Sequence, residues 1–286
     1  VAQSTMKKIL NNALLYHYAV PAFNVYNMET INAVTAAAEE LNSPFILAMS
    51  PGTVEHIGMK LVTVLARNIS WRSKVPMSLH LDHGHDSNFI RACIDAGFDS
   101  VMIDASTDNF EKNIALTRDV VNYARGGVFV EAELGCIGGF NTGTNTLISN
   151  DWLTDPDCAA SFAAKTGIDA LAIAIGTRHG PYRTTPELDF ERLRTIRERV
   201  SIPLVLHGAS GLTPEQIQQV VAGGINKINF ATDLKIAFTN SLRDWLTSHQ
   251  FDYDMRWYLK SGQDAVKAVA MEKIRDCGSV GKGRVR

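Results

Sequence analysis

The 286-residue sequence predicts an α/β fold, a TIM (β/α)8 barrel in a single domain over 1–286, from three observations. Short apolar runs of strand length alternate about eight times with segments of helical period. Many of those runs are apolar almost throughout, as strands covered on both faces are. Ionisable residues also recur at the C-terminal ends of consecutive runs, where barrels of this kind build their sites.

The elements follow in order. The opening stretch VAQSTMKKILNNALLYHY has no long apolar run and carries polar residues along its length, so it reads as an amphipathic first helix, not as a signal peptide or membrane span. The apolar runs are 18–25, 44–50, 76–82, 100–104, 128–134, 170–177, 202–207 and 227–231. Between them lie helical segments such as 28–42, where Ile31, Val34 and Ala38 share a face, and likewise 88–96 and 110–123. Strands alternating with helices imply parallel pairing through right-handed crossovers. The competing architecture is an open doubly wound sheet. No GxGxxG follows the first run, and GGFNTG at 138–143 opens a loop instead of a helix.

The longest gap, around 136–150, reads CIGGFNTGTNTLISN and predicts a mobile loop or lid with its paired glycines as a hinge. After the last run the chain continues as a C-terminal helical extension, and the basic end KGRVR at 282–286 reads as a solvated terminus.

Composition limits the classes of function. Apolar residues make up 45% and charged residues 20%, an ordinary soluble balance. The net charge of -2 gives no global field for nucleic acid or an anionic membrane, so neither is expected as a partner. Cys93, Cys136, Cys158 and Cys277 lie far apart without a CxxC pair and read as packing or idle thiols. That usage suits a reducing cytosol, and a cytoplasmic protein is expected.

Chemistry collects at the run ends. HLDHGH, MIDAS, VEAELG, IGTRHG, LVLHGAS and INFAT place Asp82, His83, Asp104, Glu133, His179, His207 and Asn229 there. Any one of these histidines reads equally well as a hydrogen-bonded strand-end residue. Together, His83, His179 and His207 make the three-imidazole set of a catalytic zinc with a position left open for substrate. His80 shares a strand face with Asp82 and reads as a supporting or core residue, and His85 flanks the cluster. His17, His56 and His249 fall on helical or surface segments. Asp82 is the proton carrier or, alternatively, an orienter of an imidazole. Near a cation its pKa is lowered, so acid chemistry at neutral pH needs desolvation or a bond to substrate. Asp104 and Glu133 supply oxygen ligands to a second or mobile cation position, or structural hydrogen bonds. HGASG and NFATD put small residues, with Ser210 and Thr232, where backbone N–H groups can close on a phosphate, and Gly180 extends that cradle. Helix capping by Ser210 and Thr232 is the alternative.

On these residues, and on YAVPAFNV, LHLDHG, VEAELG, AIGTRHG, PLVLHGASG, KINFAT and a late CGS, the chain resembles the class II (zinc-dependent) fructose/tagatose-bisphosphate aldolases over nearly its whole length. It looks closest to the tagatose-bisphosphate branch. The resemblance implies one Zn2+ per subunit on His83, His179 and His207, with Asp82 as the catalytic acid. It implies dihydroxyacetone phosphate contacts at Gly180, Gly208, Ala209 and Ser210 and at Asn229, Phe230, Ala231 and Thr232, with Asn24 and Ser50 further along the substrate. A monovalent cation near the phosphate and a homodimer or homotetramer complete the expectation. The implied reaction is reversible retro-aldol cleavage of a ketose 1,6-bisphosphate to dihydroxyacetone phosphate and glyceraldehyde 3-phosphate.

The chain also departs from that family. Phe140 and Asn141 follow the double glycine where a catalytic glutamate is expected, and the next carboxylate is Asp151. Lys260 stands where relatives carry an arginine for the far phosphate, and an ammonium does not reproduce a bidentate guanidinium. Arg178 before a ligand histidine and DAS at 104–106 are further differences. These changes keep open an aldolase acting on a sugar monophosphate with a different aldehyde, and a catalytically weakened barrel supporting a partner. A zinc hydrolase on the same barrel is the remaining alternative.

Overall fold

The protein was analysed as a computed structural model, which describes residues 5–124, 127–137 and 152–284. Eight parallel strands close into a ring in chain order: β1 (Val20–Asn24), β2 (Phe45–Met49), β3 (Met77–Gly84), β4 (Ser100–Ile103), β5 (Phe129–Leu134), β6 (Ala170–Ile173), β7 (Leu204–Leu206) and β8 (Ile225–Phe230). β1 pairs with both β2 and β8, so the sheet has no free edge. This is the TIM barrel that the alternation of runs predicts, not the open sheet.

Helices link the strands: α1 (Thr5–Tyr16), α2 (Met28–Glu40), α3 (Pro51–Ile57), α4 (Met59–Arg72), α5 (Ser87–Ala96), α6 (Phe110–Ala124), α7 (Pro156–Thr166), α8 (Phe190–Arg199) and α9 (Pro214–Ala222). Two more, α10 (Thr232–Ser248) and α11 (Met255–Asp276), pack on each other after the last strand, and α11 also packs on α2. Their first turns are set locally. Asn27 and Thr30 form a reciprocal capping box for α2, and Thr213 and Gln216 do the same for α9.

One strand differs from expectation. The apolar run 170–177 predicts a long sixth strand, but pairing ends at Ile173. Gly176 follows with a φ of 115°, and a Cβ there would sit 2.4 Å from the Glu187 carbonyl oxygen. The chain therefore turns away from the ladder where only glycine fits.

Strand alternation sorts the side chains into two cores. Phe23, Leu47, Leu79, Leu81, Val101, Val130, Leu171 and Ile228 point outward into the layer shared with the helices. Val20, Ala22, Ile46, Ala48, Met102, Phe129, Ala170, Ala172 and Val205 point inward. That inner set is continuous with Met6, Ile9, Leu10 and Ala13 of α1, so the first helix plugs the bottom of the barrel. Above it, the same inward face becomes polar: Ser78, His80, Asp82, Glu131, Glu133, Lys227 and Asn229 are all buried.

A cavity-forming change in the plug is costly. Leu10→Ala should destabilise the fold by about 2–5 kcal/mol in urea unfolding, whereas Leu15→Ala, at an exposed site, should change it by less than about 0.5 kcal/mol. Equal effects of the two would remove the plug from the core.

Candidate active site

At the C-terminal ends of the strands, three imidazoles converge. The ring centroids of His83 and His179 are 4.8 Å apart, those of His83 and His207 4.7 Å, and those of His179 and His207 6.1 Å. One ligand nitrogen from each lies within 4.8 Å of the others.

His83 reaches this point through an irregularity. Successive side chains of a strand face opposite ways, so Asp82 and His83 should diverge. The β3–β4 register slips between Leu81 and Gly84, and His83 adopts a φ of 52°, which is unusual for a residue other than glycine. This bulge turns both neighbours toward the mouth, at a backbone cost on the order of 1–3 kcal/mol.

Two of the rings are held so that one nitrogen stays available. His83 Nδ1 is 2.8 Å from Asp104 Oδ2, while its Nε2 is buried with no hydrogen-bond partner. His207 Nε2 is 2.8 Å from Glu131 Oε1, leaving Nδ1 on the side of Asp82, 3.8 Å away. A buried nitrogen without a partner is costly unless something occupies its lone pair. The three imidazoles, from β3 and from the loops after β6 and β7, could hold a metal ion.

Carboxylates surround the cluster. Asp82 is clamped by two amides: Asn24 Nδ2 donates to Oδ2 at 2.6 Å and Asn229 Nδ2 donates to Oδ1 at 3.0 Å. Burial works against its charge, but His83, His207, Lys227 and the Asn24 bond outweigh it and bring its pKa down to about 2. Asp82 is thus a carboxylate at neutral pH. Asp104 accepts from the Ser106 amide and hydroxyl as well as facing His83. His83, Asp104 and Glu133 form a second group with ligand atoms within 4.8 Å, sharing His83 with the first. Glu133 Oε2 is buried without a partner, and burial together with the Asp104 charge pushes its pKa up to about 8.

Burial alone would keep His83 neutral, yet Asp82, the bond to Asp104, Glu133 and the Asp104 charge push its pKa up to about 10. Burial and the neighbouring His83 lower His179 to about 4, and burial, His83 and Lys227 hold His207 well below the ordinary value.

The β6 and β7 loops are locked together. Tyr182 Oη accepts from the Arg178 amide and donates to the Gly208 carbonyl, both at 2.8 Å, under the Arg178 guanidinium. Gly208 has a φ of 67°, and a Cβ there would approach the Arg178 carbonyl oxygen to 2.6 Å. Only glycine lets the two loops meet beside His179 and His207.

The suggested phosphate cradle has a specific arrangement. Ser210 Oγ accepts from the amides of Ala231, Thr232 and Asp233, so it caps α10 from another strand. The capping alternative is therefore realised by Ser210, while the three N–H groups still converge on a single oxygen. Gly180, with a φ of 96°, lies on the β6 loop, and Ala209 is buried. Phe230 points outward, its ring 6.1 Å from that of Phe23, so only its backbone faces the mouth. Ser50 precedes α3 as its N-cap residue, its hydroxyl 3.2 Å from that of Thr53.

Lys260 is set apart. It is exposed on α11, pairs with Asp264 and lines a groove with Trp245, His249 and Trp257 between α10 and α11. No direct contact links it to the histidine cluster. Phe140, Asn141 and Asp151, like most of the expected loop at 136–150, lie outside the described residues.

Two residues of the site were not anticipated. Glu131 and Lys227 have no exposed side-chain surface and form an ion pair beneath His207, with Lys227 Nζ 2.7 Å and 3.0 Å from the two carboxylate oxygens. The available signal was spacing: Glu131 is two residues before Glu133, and Lys227 two before Asn229, on the inward faces of β5 and β8.

Comparison with known proteins agrees with this geometry. The family model for class II fructose-bisphosphate aldolase matches residues 4–282. The chain is similar to the YdjI aldolase of Escherichia coli K12, at 37% identity and a TM-score of 0.86, over 98% of each chain. It is similar to a Coccidioides immitis protein provisionally assigned as a fructose-1,6-bisphosphate aldolase, at 33% identity and a TM-score of 0.88, over 96% of each chain. The fructose-bisphosphate aldolase of Campylobacter jejuni aligns at 26% identity and a TM-score of 0.81, over 97% of this chain and 95% of that one. With the family model matching nearly its whole length, this chain belongs to the class II fructose-bisphosphate aldolases and is a lyase of the aldolase type.

Proposed function

We propose that the protein catalyses zinc-dependent, reversible retro-aldol cleavage of a phosphorylated ketose. The reading favoured is a ketose 1,6-bisphosphate of tagatose or fructose type, giving dihydroxyacetone phosphate and glyceraldehyde 3-phosphate. The observation that carries it is the meeting of His83, His179 and His207 beside an amide-clamped, anionic Asp82. Zinc, when bound to the three imidazoles, would supply Lewis-acid polarisation of the ketose carbonyl.

The protein's own groups act on the departing hydroxyl. Asp82 accepts the hydroxyl proton of the departing aldehyde half as the carbon–carbon bond breaks, and returns it in condensation, while the dihydroxyacetone phosphate half takes up a separate proton at carbon from a second acid or water. Asn24 and Asn229 fix the carboxylate, so the proton is taken at a defined place. The amides of 231–233, now on Ser210 Oγ, offer the positive end of α10 to the phosphate of the dihydroxyacetone half. Gly180, Gly208, Ala209, Asn229 and Thr232 flank that position, and Ser50 stands toward the rest of the sugar. Asp104 and Glu133 give the cation a second position, with Glu133 Oε2 as the free ligand atom. A monovalent cation beside the phosphate, assembly as a dimer or tetramer, and a cytoplasmic location accompany this reading.

A second substrate reading has its own support. Lys260 pairs with Asp264 in the α10–α11 groove, and an ammonium does not replace a bidentate arginine for a far phosphate. An aldolase joining dihydroxyacetone phosphate to an unphosphorylated aldehyde would not need that contact.

The deciding experiment strips the protein with a chelator, reloads zinc and measures dihydroxyacetone phosphate release from ketose mono- and bisphosphates. Activity should vanish on chelation, return with zinc and be greater on a bisphosphate. Full activity without metal ends the zinc reading, and an equal or better rate on a monophosphate ends the bisphosphate one.

Asp82→Ala should lower kcat by about 10²–10⁴-fold while zinc content stays at the wild-type level. A loss smaller than tenfold would take the proton step away from Asp82.

Metal affinity should depend on pH through His83. Its pKa near 10 without metal means that zinc must displace one proton at neutral pH, whereas His179 and His207 are already neutral. Affinity should therefore rise by about tenfold per pH unit between pH 7 and 9 and level off near 10. Chelator competition across that range measures it; a flat profile contradicts it.

A further inference from the structure

Beneath the mouth, a line of hydrogen-bonded groups crosses the barrel interior from β4 to β7. His80 Nδ1 is 2.6 Å from Ser100 Oγ, and His80 Nε2 is 3.4 Å from Lys227 Nζ. Lys227 Nζ reaches both oxygens of Glu131, and Glu131 Oε1 meets His207 Nε2 at 2.8 Å. All five residues are buried, with His80, Ser100, Glu131 and Lys227 at 0% exposure, so solvent cannot substitute for any partner.

The direction of each bond in this line is forced. A lysine ammonium can only donate, and a carboxylate can only accept. Lys227 therefore donates to His80 Nε2, which makes Nδ1 the protonated nitrogen of that ring and Ser100 Oγ its acceptor. Glu131 accepts from His207, which places the proton on Nε2 and the lone pair on Nδ1. That lone pair is on the side of the ring facing Asp82, and one ring nitrogen of His207 lies within 4.8 Å of those of His83 and His179. Lys227 also fixes Glu131 itself, because one cation holding both carboxylate oxygens prevents the carboxylate from rotating away from His207.

We propose that Lys227 is a positioning residue for metal binding: through Glu131 it fixes the tautomer and orientation of His207. The proposal rests on His207 being a metal ligand, and it adds that the choice of ligand atom is made by an ammonium one residue removed from the imidazole. A buried lysine serving the fold alone would not need to be tied to the histidine through a shared carboxylate, and its loss would not change which His207 nitrogen carries the proton.

The test has two arms. In wild-type protein stripped of metal, with histidine side chains labelled in 15N, NMR should find His207 protonated on Nε2 and His80 on Nδ1. A His207 proton on Nδ1 overturns the proposal. This arm needs no metal, so it stands or falls separately from zinc binding; a protein that shows these tautomers but never binds zinc defeats the function proposed above instead. In Lys227→Met, His207 should show a mixture of tautomers, and zinc affinity by chelator competition should weaken about 10–100-fold. A folded Lys227→Met protein with wild-type tautomer and zinc affinity within threefold overturns the proposal. If the variant does not fold, Glu131→Gln, which keeps the shape but lets the side chain donate as well as accept, should give the same mixed tautomers. Wild-type behaviour in that protein overturns the proposal equally.

Discussion

A closed sheet has no edge, and every second side chain of each strand has only the interior to enter. This constraint governs the molecule. The inward positions of eight strands must be filled to close-packed density, and no water is available to satisfy a polar group placed there by chance. The chain meets the constraint in layers. Apolar residues and α1 fill the base, a paired lysine and glutamate with their histidine partners span the middle, and amides, carboxylates and imidazoles open toward solvent at the top.

The electrostatics of the upper half follow from that layering. Asp82, Asp104, Glu131 and Glu133 bring four carboxyl groups into one small volume, against a single lysine. Burial penalises every charge there, so each carboxylate that stays ionised needs a donor, and Asp82 has two amides for that purpose. The excess of acceptors over donors explains both the proton that His83 retains and the one that Glu133 keeps. A divalent cation would relieve the imbalance more completely than protons can, because it satisfies several lone pairs at once.

Much of this was legible in the sequence. Eight apolar runs mark the strands, and reading their last residues names the three imidazoles that the fold brings together, since strand ends in a parallel barrel all open on one face. What stayed hidden has physical causes. Apolar composition continues past Ile173 to the end of the 170–177 run, while the turn at Gly176 that ends the strand depends on contact with Glu187. Asp82 and His83 should face opposite ways on a regular strand, and the bulge that reconciles them leaves no trace in residue type. Glu131 and Lys227 resemble any surface charges until the strands are registered, when they prove to be paired with each other in the barrel interior. The position of Lys260 in its motif points to the far phosphate, whereas helix packing sets its ammonium beside Asp264.

The pairing of β1 with β8 carries a consequence for biosynthesis. The two strands that complete the ring stand about two hundred residues apart in the chain. A nascent polypeptide leaving the ribosome cannot finish its enclosure until β8 has emerged, and Asp82 waits for Asn229 just as His83 waits for His207. The half-made protein therefore exposes an unpaired sheet border, and its three imidazoles have not yet met. The mouth of the barrel is thus completed only when the ring itself is.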